Sequence, residues 1–191
     1  MPIDQFSLDL GSPPPRRPID LLYFAILPDA AAADTALRLA ADDQERHGAA
    51  GEIYDPDRLH VSLHRVWKEP GLPDEAIRYA MRLGACVDAA SFDIRFDRLV
   101  SIDQGRQYPR TLTCGNGNEL LDDLMIQLSD GKTLKGEVVP HMTLYYGDRS
   151  APYTDLRTPI TWTALDFALV HTRKGLGETK VLRRWPLSRR A

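Results

Sequence analysis

Two short phrases in this chain pair an imidazole with a hydroxyl. Residues 59–66 read LHVSLHRV and residues 140–147 read PHMTLYYG. Each sets out a His, an apolar residue, a Ser or Thr, and then Leu. Two histidines in one pocket suit attack on a phosphodiester. One, neutral, takes a proton from the attacking oxygen; the other, protonated, gives a proton to the leaving oxygen. An imidazole with an ordinary pKa of about 6.5 serves in either part near neutrality. The hydroxyls suit the non-bridging phosphate oxygens, where charge builds in the transition state. The scheme requires no metal.

The spacing fits a strand, on which residues i and i+2 share a face. His60 and Ser62 then project together, as do His141 and Thr143, while Val61, Leu63, Met142 and Leu144 turn toward a core. A single phrase of this kind arises readily by chance, and a lone His on a strand is commonly structural. Two copies in matched surroundings argue for one site built from both.

Other residues admit a competing reading. His60 and His64 have the i, i+4 spacing of a helical zinc pair, but on a strand they stand about 13 Å apart, so His64 reads as a neighbour at the edge of the cleft. His47 closes a helix, where an imidazolium suits the helix dipole, and His171 reads as structural. Tyr23, Tyr54, Tyr145 and Tyr146 are stacking candidates for a base, with packing as the default. The basic group Arg173, Lys174, Lys180, Arg183 and Arg184 reads as a solvated hairpin.

The elements that must position the two phrases are legible from periodicity. The apolar run 19–27 predicts a buried strand. An Ala-rich helix follows, closed by Gly48, and then the first phrase as a strand over 59–67. A helix starts at Pro73 and runs to about Val87. Alternating strands follow at 91–103 and 110–115, and then a helix with Asn118 as N-cap and Gly131 as terminator. The second phrase is a strand, and residues 160–173 and 178–187 form a closing antiparallel pair. The order β-α-β-α-β-β-α-β-β-β lacks strict βαβ alternation. The expected class is therefore α+β: two pseudo-symmetric lobes with mostly antiparallel sheets around a central cleft, helices on the outer faces.

Bulk properties bound the function. The chain of 191 residues carries 43% hydrophobic and 27% charged residues and a net charge of -3. That is one ordinary globular domain without a global basic field for nucleic acid. Cys86 and Cys114 form no disulfide framework and no zinc-finger spacing. Residues 1–18, punctuated by Gly11, Ser12 and three prolines, read as a flexible tail without the apolar core of a secretion signal. No stretch approaches the roughly 20 apolar residues of a membrane span. A cytoplasmic protein, monomeric and with residues 19–188 as one bilobal domain, is the expectation.

The paired phrases resemble the motifs of the two-histidine (2H) phosphoesterase superfamily, in its bacterial 2′-5′ RNA ligase-like branch, the RNA 2′,3′-cyclic phosphodiesterases. LLYFAILPD is similar to that branch's first strand, DRLHVSLHRV to its first motif, VVPHMTLYYG to its second and LVHTRKGLGETKVLRRWPL to its closing hairpin. The resemblance implies a bilobal fold with a pseudo-twofold axis and water-driven opening of a cyclic phosphate on an RNA end or a small nucleotide, leaving a 2′-phosphate. It implies no cofactor and no metal. It makes His141 the general base and His60 the general acid, roles that swap when the reaction reverses, with Ser62 and Thr143 holding the phosphate. Two departures stand out. Ser62 replaces the commoner Thr. An Arg often follows the branch's second motif, where this chain has Tyr145 and Tyr146, while Arg65 follows the first motif. Arg65 is the candidate phosphate-binding cation, although strict alternation turns it away from His60 unless the strand bends. The alternatives are 2′-5′ RNA ligation by the reverse chemistry, a nucleotide-binding module without turnover, and a metalloprotein, against which the His spacing argues.

Overall fold

The computed structural model describes residues 18–103, 105, 107–115, 119–129 and 139–189. Residues 1–17 of the expected tail, the cap Asn118 and the terminator Gly131 lie outside the described residues. In chain order the elements are β1 (Ile19–Ile26), α1 (Ala30–His47), a 3-10 turn (Pro56–Arg58), β2 (Val61–Glu69), α2 (Asp74–Ala85), β3 (Phe92–Ser101), β4 (Tyr108–Thr113), α3 (Glu119–Leu128), β5 (His141–Gly147), β6 (Thr154–Ala164), β7 (Asp166–Lys174) and β8 (Glu178–Pro186). All eight strands form a single sheet in the order β6-β3-β4-β5-β2-β1-β7-β8, and every strand pair is antiparallel.

That order is the structural form of the repeat. Each half contains a strand, a helix and an antiparallel neighbour: β1-α1-β2 and β4-α3-β5. The second strand of each unit carries a phrase. The units meet back to back at β2 and β5, joined by the ladder pair Val61 and Met142. The two expected lobes are thus halves of one continuous sheet.

The helices are formed by local signals and held by burial. The Asp29 side chain accepts a hydrogen bond from the Ala32 amide at 2.7 Å, and Gly48 closes α1 at φ 60°, the left-handed conformation that glycine tolerates best. Ala33, Ala36, Ala40 and Asp43 line the buried stripe at helical spacing. Although α1 leaves from β1, it packs over β5 and β6, while α3 packs over β2 and α2. The helices therefore exchange halves and tie them together. One core joins them to the sheet face carrying Leu22, Phe24, Val61, Leu63, Phe96, Leu112, Met142 and Leu144. The opposite, open face carries a small apolar group of Ala25, Ala168 and Val170 with Tyr23.

The run 160–173, expected as one strand, is two. Leu165 breaks it, 66% exposed between buried Ala164 and Phe167. β6 lies at one end of the strand order and β7 near the other, so a connection of one residue requires the two ends of the sheet to approach each other. Backbone bonds there confirm the approach: Ser91 donates to the Ser188 carbonyl and Ser188 to the Ala89 carbonyl. No described helix is long and apolar enough to cross a membrane.

Candidate active site

His60 immediately precedes β2 and His141 opens β5. In an antiparallel ladder, the residues flanking a pair stand opposite each other in reverse order. The Val61–Met142 pair therefore sets His60 across from Thr143, and Ser62 across from His141. Val61 and Met142 are fully buried, so the other four occupy the open face. Each imidazole has a hydroxyl of the other half beside it.

Both rings are held in the same way. His60 Nδ1 lies 2.8 Å from the Arg58 carbonyl, and His141 Nδ1 lies 3.0 Å from the Val139 carbonyl. A carbonyl oxygen only accepts, so each Nδ1 carries the proton and donates it. Each Nε2 is then the nitrogen left to exchange protons. In both cases the acceptor lies two residues before the histidine, where the chain enters the strand.

His60 is half-buried beside Tyr23, with ring centroids 5.1 Å apart. Burial is the main cause that pushes its pKa below the ordinary histidine value; the charges of His141 and Arg58 add to this, and the Arg58 carbonyl opposes it. The Tyr23 hydroxyl, itself raised in pKa by burial, contacts Thr172 Oγ1 at 3.3 Å. Tyr23, by sequence a packing or rim residue, is a wall of the histidine site.

Arg65 reaches the open face because β2 does bend. Ser62 is opposite Ala25, but His64 is opposite Phe24 and Arg65 opposite Tyr23. Leu63 is thus an extra residue, a β-bulge that reverses the alternation beyond it. Residues opposite each other share a face, so Arg65 sides with Tyr23. His64 sides with buried Phe24, which corrects its reading as a neighbour at the cleft edge.

The same bulge recurs in the other half. Thr143 is opposite Thr111, whereas Tyr145 is opposite Arg110 and Tyr146 opposite Pro109, leaving Leu144 as the extra residue. Tyr146 is therefore the counterpart of Arg65 and faces the open side. Its ring lies 6.0 Å from that of Tyr54, which the Arg58 guanidinium covers at 3.8 Å.

Tyr145 is turned inward and belongs to a buried network. Its hydroxyl donates to Asp43 at 2.8 Å, and Arg110 donates to both carboxylate oxygens of Asp43 at 2.9 Å. Arg110 is 1% exposed, an assignment that the strand pattern of 110–115 did not disclose. The network pins α1 to β4 and β5. His171, structural by its sequence setting, bonds Asp20 through Nε2 at 2.7 Å.

Comparison with known proteins agrees with this architecture. E. coli LigT complexed with phosphate superposes with a TM-score of 0.70 at 20% identity, covering 91% of this chain and 100% of LigT. TT0787 of Thermus thermophilus gives 0.70 at 17% identity, covering 90% and 100%. Usb1 of Kluyveromyces marxianus gives 0.54 at 12% identity, covering 90% and 99%. No curated protein matches the chain. A family model matches residues 27–175, which include both histidine phrases, and by that match the chain belongs to the 2′-5′ RNA ligase superfamily.

Proposed function

We propose that the protein opens 2′,3′-cyclic phosphates on RNA ends or small nucleotides by paired general acid–base catalysis. The observation that carries this reading is the buried Val61–Met142 ladder pair, which sets His60 across from Thr143 and His141 across from Ser62, with both imidazoles held through Nδ1. A phosphate between the strands then meets an Nε2 and a hydroxyl from each side. His141 Nε2 takes a proton from water as its oxygen bonds phosphorus. The P–O3′ bond breaks, His60 Nε2 protonates the departing O3′, and a 2′-phosphate remains. Ser62 and Thr143 hydrogen-bond the non-bridging oxygens, and the Arg65 cation stands two residues of β1 further along the same face.

Burial keeps His60 toward its neutral form in the free protein. As the acid it must hold a proton, and the anionic phosphate supplies the field that restores it. In the ligation direction, where a 5′-hydroxyl attacks the cyclic phosphate, the 5′-oxygen takes the place of water, and the same groups serve. LigT, of similar fold, has been crystallised with phosphate, 3′-AMP and ATP, and ligands of this class fit the reading.

The test is incubation with EDTA and an oligonucleotide bearing a 2′,3′-cyclic phosphate, followed by identification of the product isomer. The expected result is opening to the 2′-phosphate at undiminished rate. Tight binding without turnover would favour a binding module instead.

A further inference from the structure

β2 contains two irregularities, not one. Beyond Arg65, opposite Tyr23, the register shifts again: Trp67 is opposite Leu22 and Lys68 opposite Leu21. Val66 and Trp67 both pack against the core. The two extra residues, Leu63 and Val66, stretch the two-residue period of the open face to three. Ser62, Arg65 and Lys68 consequently stand opposite Ala25, Tyr23 and Leu21, alternate residues of β1 on one face. Each step is two residues of β1, about 7 Å at the usual rise, which is comparable to the spacing of successive phosphates along a single nucleic-acid strand.

Arg65 and Lys68 are exposed, and among the described residues neither has a carboxylate partner. Some other exposed cations are paired instead. Arg98 pairs with Asp97 and Asp155, Arg149 with Asp148 and Arg184 with Asp166. In the other half the counterpart of Arg65 is the uncharged Tyr146. The site is therefore symmetric at the histidines and polarised beyond them.

We propose that Ser62, Arg65 and Lys68 form a phosphate ladder that seats an RNA strand on the β1/β2 half. The terminal cyclic phosphate would lie at Ser62, and the two phosphates on its 5′ side at Arg65 and Lys68. The proposal rests on the reading of the histidine pair as a phosphate site and adds the class of substrate: oligoribonucleotide ends in preference to isolated nucleosides. The spacing favours consecutive strand phosphates over a 5′-diphosphate, whose two phosphorus atoms share one bridging oxygen.

The test measures binding of a triribonucleotide 3′-phosphate and of a nucleoside 3′-phosphate across a salt series. Each neutralised phosphate contributes about 0.7 to the slope of log K against log salt for a single strand. The trinucleotide slope should exceed the mononucleotide slope by about 1.4, twice that increment. Arg65→Ala and Lys68→Ala should each remove about 0.7, while Arg65→Lys and Lys68→Arg retain the slope and report on folding. An unchanged slope in both alanine variants overturns the ladder. So does a nucleoside 3′-phosphate with a 5′-diphosphate that depends on both cations as strongly as the trinucleotide. Binding does not require turnover, so failure of cyclic-phosphate opening with the slope losses intact refutes hydrolysis and leaves the ladder standing.

Discussion

Val61 is the ladder partner of Met142, and this buried pair is the hinge of the site. Around it the two halves exchange neighbours, so that each histidine faces the hydroxyl of the opposite phrase. In the proposed mechanism a phosphate held there meets groups from both halves, and neither half has the whole set.

His60→Ala and His141→Ala should each lower the rate of cyclic-phosphate opening by at least about 100-fold, the lower range of a positioned acid or base. Single-turnover kinetics in EDTA, with far-UV circular dichroism to confirm folding, measures this. A variant of either kind that kept full rate would remove that histidine from the mechanism.

The imidazole of His60 should titrate below the ordinary histidine value in the free protein, because burial disfavours its charged form. Addition of inorganic phosphate should raise it. The sign for stability follows: below about pH 6.5 the unfolded chain binds this proton more readily than the folded one. His60 therefore destabilises the fold as pH falls from there through its depressed value. Histidine NMR titration with and without phosphate, paired with urea melts at about pH 7 and about pH 5, on either side of the ordinary histidine value, tests both statements. An ordinary or raised pKa in the free protein would refute them.

Asp43→Ala should cost about 3–5 kcal/mol of stability, since it leaves Arg110 buried without its carboxylate. The double variant Asp43→Leu with Arg110→Met removes both charges and should recover much of the loss. Urea denaturation of the single and double variants gives the comparison. Equal losses would show that the cost lies in packing and not in the orphaned charge.

Gly51→Ala should destabilise by about 1–3 kcal/mol, the range for an overpacked contact. A Cβ at Gly51 would collide with the Tyr146 carbonyl oxygen and fall 3.3 Å from the Tyr145 ring. Both belong to β5, so the substitution should also lower turnover by moving Thr143 and His141. A thermal melt and the EDTA assay check the two effects separately, and wild-type values in both would refute the contact.

The proposed reactive pair could be named from the sequence because its signal is local. A His and a hydroxyl two residues apart on a strand share a face whatever the strand pairs with, and the repetition of the phrase announces two equivalent units. The closing Gly48 was equally local and set the end of α1 at His47. The facing of Arg65 was not local. Alternation turns it inward, and only pairing with β1 reveals Leu63 as an extra residue; a bulge belongs to two strands at once and leaves no mark in one. The break at Leu165 has the same origin, since it reflects the approach of distant strands at the ends of the sheet. Burial of Arg110 required α1 to cross to the other half and bring Asp43, a contact over 67 residues that no window of sequence contains. The chain by itself determined which groups can move a proton. The tertiary pairing decided which of them face one another and which cations stand beside them.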